Sequence, residues 1–147
     1  MHQPWTKDLA VLVARVAIGV VLIAHGAQKF FTFGIAGTTD SFAGMGVPAP
    51  QAAALFAAVV ELVGGAALVL GAATAVFGLL VMLNMLGALV LVHVGNGVFV
   101  DQGGFELVAA LGAGALLLAA TGPGAWSVDH LVGRMRTARR TAATSAA

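Results

Sequence analysis

Four runs of about twenty residues, nearly free of charge, constrain this chain more than anything else in it. They lie at about 9–31, 51–71, 74–94 and 105–121. A helix needs roughly 20 apolar residues to cross the hydrocarbon core of a bilayer, so each run is close to membrane length. Only 9% of the 147 residues are charged, whereas 60% are apolar. A soluble domain is typically about 25% charged, so the chain has too little charge to clothe a soluble surface. Alternation at period two is absent, which disfavours a membrane β-barrel. The expected fold is all-α: an integral membrane four-helix bundle at residues 1–124, followed by a basic tail at 125–147.

The breaks between the runs have a chemistry of their own. Pro48 and Pro50 interrupt the first connection immediately before the second helix. "GAAT" at 71–74 is a tight turn, which makes the second and third helices an antiparallel hairpin. "GNGVFVDQGG" at 95–104 separates the third from the fourth, and "GPG" at 122–124 ends the last one. Lys7 before an apolar run also resembles a secretory signal, but the run is long for one and contains Arg15, so an uncleaved first helix is expected. Arg134, Arg136, Arg139 and Arg140 cluster after the last helix, and the turn between helices two and three is uncharged. Basic residues mark the cytoplasmic side, so both termini are expected there. The tail reads as a short amphipathic helix fading into a disordered "TAATSAA". Its arginines serve topology first and anionic lipid second.

Ionisable residues inside spans are costly, and they normally face a partner or a wet cavity. Arg15, His25 and Lys29 share one stripe of the first helix at 100° per residue. Glu61 shares a face of the second helix with Ala54, Ala57, Ala58, Gly64 and Gly65. Small residues allow backbones to approach, so Glu61 is expected to point into the bundle and to pair with Arg15. Asn84 lies at mid-depth on the third helix, His93 lies near its outer end, and Glu106 opens the fourth. The expected arrangement is an outer-leaflet pocket fed by all four helices. Its candidate catalytic residues are His25, Lys29, Glu61 and Arg15. Its candidate ligand-binding residues are His25, Lys29, Asn84, His93 and Glu106.

Several chemistries are disfavoured. The chain has no cysteine, so it can neither cycle a disulfide nor hold an iron–sulfur cluster by thiolates. No serine lies within the four runs. No tight ligand motif such as His-x-x-x-His is present, and Lys29 repels cations, so no metal is expected. Nucleotide and nucleic-acid binding lack any supporting motif. A greasy pocket with protonatable groups suits a quinone headgroup, whose carbonyls take hydrogen bonds from His or Lys. The same groups would also serve a proton or small-solute pathway.

"AHGAQKFF", "GMGVPAP", "ELVGGAALVLG", "LVHVGNGVF", "GGFELVAAL" and "GPGAWSVD" occur in this order from about Arg15 to Asp129. In these pieces the sequence resembles the DoxX family of small four-helix bacterial membrane proteins. The resemblance implies a membrane component of redox or oxidative-stress systems, similar to the membrane subunit of an archaeal thiosulfate:quinone oxidoreductase. The more distant likeness to quinone-linked thiol oxidoreductases fails at their cysteines. The expected function is therefore a membrane redox subunit binding a quinone or similar amphiphile, with electrons from a partner or ligand. The rivals are a non-catalytic anchor for another complex and a solute or proton pathway. The expected partners are the lipid bilayer and either a protein partner or a second copy of the chain.

Overall fold

A computed structural model describes residues 4–145. Three helices are long and apolar enough to cross a membrane: Trp5–Thr32, Pro50–Leu70 and Thr74–Asn96. A shorter apolar helix, Glu106–Thr121, accompanies them. The described residues contain helices and turns but no strand, and the chain is an all-α membrane protein.

The first span, α1, is α-helical over Pro4–Ala27 and widens into a π turn at Gln28–Thr32. There the Phe33 N–H donates five residues back to the Gln28 carbonyl at 3.0 Å. The connection that follows is not the plain loop its composition suggests. Gly34–Gly44 forms a helix, α2, despite three glycines and two threonines of weak helix propensity. Thr38, Thr39 and Ser41 donate to the carbonyls four residues earlier, and α2 packs along the next helix. Tertiary contact supplies what propensity lacks.

The second span, α3, is α-helical over Pro50–Val59 and again over Gly65–Leu70, with a π turn at Val60–Gly64 between. Pro50 suits the first position of a helix, where its missing N–H would have had no partner. The far end is closed by Gly71 at φ +65°. The Ala72 N–H reaches the Ala67 carbonyl at 2.9 Å and the Gly71 N–H reaches Leu68 at 3.1 Å, the two bonds of a glycine-dependent helix stop. The third span, α4, runs over Thr74–Ala88 and ends in a further π turn at Leu89–His93. A compact loop leads to α5, Glu106–Thr121.

The final helix, α6, occupies Val128–Ser145. Helix therefore continues through most of the "TAATSAA" segment for which disorder was expected; residues 146 and 147 lie outside the described part. Alanine and threonine can prolong a helix that is already nucleated.

The core is formed by Leu22, Val60, Leu68, Val81, Met85, Leu111, Ala115 and Leu118. Where α1 crosses α3, a side chain on Gly19 would strike Val69 and the Gly65 carbonyl, and one on Gly26 would strike the Leu62 backbone. These glycines let two helices touch main chain to main chain, the usual solution where lipid is as apolar as the protein.

The bundle has two chemically different ends. At one, the Asp8 carboxylate on α1 accepts from the Ala125 N–H at 2.9 Å, so the start of α1 and the segment after α5 lie together. At the other are α2 and the loop from 94 to 105. We call them the terminal end and the loop end.

Candidate functional site

A cavity of about 480 Å³ occupies the loop-end half of the bundle. Its walls are mostly apolar and include Leu22, Phe56, Ala57, Met85, Leu107 and Leu111. Five polar side chains from three spans interrupt them: His25 and Lys29 from α1, Glu61 from α3, and Asn84 and His93 from α4. Apolar chambers of roughly 300–1,000 Å³ with a few placed polar groups are the usual form of a small-molecule site.

Glu61 organises the polar patch. One carboxylate oxygen, Oε2, stands 2.5 Å from Lys29 Nζ. The other, Oε1, accepts a hydrogen bond from Asn84 Nδ2 at 3.3 Å. Glu61 is 5% exposed and Asn84 9%, so a charge-assisted pair and an amide together satisfy a carboxylate held away from water. Lys29 is less enclosed, and its own carbonyl accepts from Thr38 Oγ1 of α2 at 3.2 Å. The short helix thus steadies the segment that carries the lysine.

The two histidines stand differently. His93 Nδ1 lies 2.7 Å from the Gly103 carbonyl. A carbonyl only accepts, so Nδ1 carries a hydrogen, and Nε2 is the ring nitrogen left for a ligand. His25 lines the cavity and makes no hydrogen bond to any described residue. Its ring is uncommitted.

Each of the three π turns carries one of these ionisable groups: Lys29 in Gln28–Thr32, Glu61 in Val60–Gly64 and His93 in Leu89–His93. A π turn fits one extra residue into a helix and redirects the side chains around it, and such turns gather at functional sites. Apolar periodicity does not reveal them, because the surrounding residues still read as helix.

Two candidates lie elsewhere. Arg15 does not pair with Glu61. Lys29 is fourteen residues further along α1, a rise of about 21 Å at 1.5 Å per residue, and Glu61 is level with Lys29. The expected pairing fails because the stretch of α1 between Arg15 and that level is longer than an arginine side chain can span. Arg15, 1% exposed, instead donates to the carbonyls of Pro123, Trp126 at 2.9 Å and Val69 at 3.3 Å. It binds α1 to α3 and to the segment after α5. Glu106 is outside the cavity wall. Its Oε1 accepts from the Val100 N–H at 2.8 Å, which folds the loop from 94 to 105 back on the start of α5.

At the terminal end, Asp129 accepts from the Ala73 N–H at 2.7 Å and from the Thr74 N–H at 2.9 Å, capping α4 from a distant part of the chain. Burial pushes its carboxyl up, but these N–H groups, the Thr74 side chain and the Arg15 charge outweigh it and hold the group below its ordinary value. Sequence reasoning missed this residue. An aspartate at the start of α6 looks like a cap for its own helix.

No group of three or more His, Asp or Glu side chains that could hold a metal ion occurs among the described residues.

Comparison with known proteins places the chain in a lineage. The model of the family described as DoxX matches residues 10–94. "Inner membrane protein YphA" of Escherichia coli (strain K12) is 33% identical over 129 residues, covering 84% of this chain and 91% of that protein. "Inner membrane protein YqjF" of the same organism is 33% identical over 87% of this chain and 95% of its own length. "Putative oxidoreductase CatD" of Bacillus subtilis (strain 168) is 34% identical over 58% of this chain and 60% of that protein. No solved structure gives a significant match.

Proposed function

Because the chain belongs to the DoxX family, we propose that it is a membrane subunit of a redox system in the bacterial cytoplasmic membrane, and that its loop-end cavity takes a quinone or similar amphiphile. The observation that carries this is the meeting of His25, Lys29, Glu61, Asn84 and His93 in one otherwise apolar chamber. The oxidoreductase name of the Bacillus relative points the same way.

The residues fit such a headgroup. Bound there, a quinone would supply two carbonyl oxygens able to take up two electrons and two protons. His25, uncommitted within the protein, can donate a hydrogen bond to one carbonyl. The Lys29 ammonium lies where it would stabilise negative charge as electrons arrive, while the Glu61–Asn84 bond keeps the carboxylate positioned to exchange a proton with it. His93, oriented by its Nδ1 bond to Gly103, presents Nε2 to the oxygen at the other end of the ring. Both electrons come from a partner or a redox ligand, since the chain has no cysteine for a thiol or cluster relay. Arg15, far from this chemistry, keeps the bundle together.

The test is quinone content and binding. Protein extracted in mild detergent should retain quinone detectable by chromatography, and His25→Ala should weaken quinone binding about tenfold, the loss of one hydrogen bond to a buried carbonyl. Absence of quinone, together with no binding of added quinone, would overturn the proposal. A stoichiometric protein partner in the same preparation would then favour the anchor role.

A further inference from the structure

We propose that the hydrocarbon tail of the bound amphiphile leaves the cavity sideways into the bilayer, between α3 and α4 and across Gly87. This rests on the amphiphile reading above and adds the route by which the ligand reaches its site.

The two helices diverge toward the loop end. The Pro50–Val59 part of α3 packs on α1 and α2, whereas α4 packs on α5 and meets α3 chiefly from Val60 onward. The cavity extends into the gap between them. Phe56 on α3 and Leu83 and Leu91 on α4 all line it, yet they are 48%, 49% and 49% exposed. Side chains that border a cavity and also face outward mark a break in its wall. Here the break lies within membrane-spanning segments, so it opens on hydrocarbon.

Gly87 lies one helical turn from both leucines and lines the same cavity. A Cβ added to it would meet nothing within 4 Å, in contrast with Gly19, Gly26 and Gly65, whose missing side chains allow helices to touch. Gly87 serves no such contact, and its absent side chain leaves a notch in the rim of the gap. A linear alkyl or polyprenyl chain fits a narrow apolar notch, and its ring remains beside Glu61 and Lys29. Met45 and Val100 are also half-exposed lining residues, but they belong to the connecting segments. An opening there would lead to the headgroup layer and not to the hydrocarbon a tail requires.

Full-length protein in lipid nanodiscs would be assayed with two probes: a benzoquinone carrying a ten-carbon chain, and the same ring with a methyl group in its place. Gly87→Trp should weaken the long-chain probe at least tenfold and leave the methyl probe within twofold. Leu86→Trp, at an exposed neighbour outside the cavity wall, should alter neither. Should Gly87→Trp lose its cooperative melting transition, Gly87→Leu gives the same test with a smaller plug and the same expected order of effects. Unchanged affinity for both probes in the Gly87 variants, or equal loss of both, would overturn the lateral route while leaving the quinone reading standing. Failure of the wild-type protein to bind either ring would overturn both.

Discussion

Lys29 and Glu61 are unequal partners, and the inequality predicts which one the protein can lose. The side chain of Glu61 is 7% exposed and that of Lys29 17%. Removing the lysine strands a carboxylate in an apolar wall with only Asn84 for company. Breaking a buried pair in this way typically costs about 3–5 kcal/mol; we expect about 3 for Lys29→Met. Glu61→Gln should cost less, about 1 kcal/mol, because the amide keeps a partner in Asn84 and the lysine can turn its flexible end toward the loop-end surface. The double variant should recover most of the Lys29→Met loss. Equilibrium unfolding in detergent measures all three, and a larger loss for Glu61→Gln would contradict a stably charged pair. The stripe joining His25 and Lys29 was legible from helical periodicity alone. The partner of Arg15 was not. Main-chain carbonyls accept it, and a carbonyl has no side-chain pattern to read.

Among the elements, the contact between α1 and α3 is the most constrained. A Cβ on Gly65 would lie 2.7 Å from the Gly19 carbonyl oxygen and 2.9 Å from the Ile23 nitrogen, and backbone atoms cannot rotate aside. Gly65→Ala should therefore force the helices apart and cost about 1–3 kcal/mol. Gly87→Ala, at a glycine with open space, should be neutral or stabilise by up to about 1 kcal/mol through helix propensity alone. Thermal melting of the two variants side by side checks the contrast, and equal effects would refute the close approach. The long spans were legible because bilayer thickness fixes their length. The α2 helix was hidden by its glycines and threonines, since packing on α3, and not local preference, makes it helical. The π turns were hidden for another reason: an extra residue in one turn leaves an apolar run looking the same.

For the molecule as a whole, the terminal end is held by long-range bonds and the loop end contains the cavity. Asp129 offers a pH probe of the first. Its carboxyl is held below the ordinary value in the folded state. The stabilisation is therefore complete above the unfolded pKa, near 3.9, and is lost as pH falls through the lower folded value. The melting temperature of the wild-type protein should drop on acidification below about pH 4 more steeply than that of Asp129→Asn. Parallel curves would show that the cap contributes nothing. Counting along helices of alternating direction brings His25, Lys29 and His93 to one half of the bundle with Glu61 beneath them, but it also put Glu106 in that group, and Glu106 lies outside the cavity wall. The terminal-end ties were not legible, because they join parts of the chain more than fifty residues apart with no motif in common. Those ties also bear on biosynthesis. Arg15 is made before all three of its acceptors, and two of them, at Pro123 and Trp126, follow it by 108 and 111 residues. A chain halted at Thr121 would hold the four apolar helices described above, yet its Arg15 guanidinium would keep only the Val69 carbonyl as acceptor.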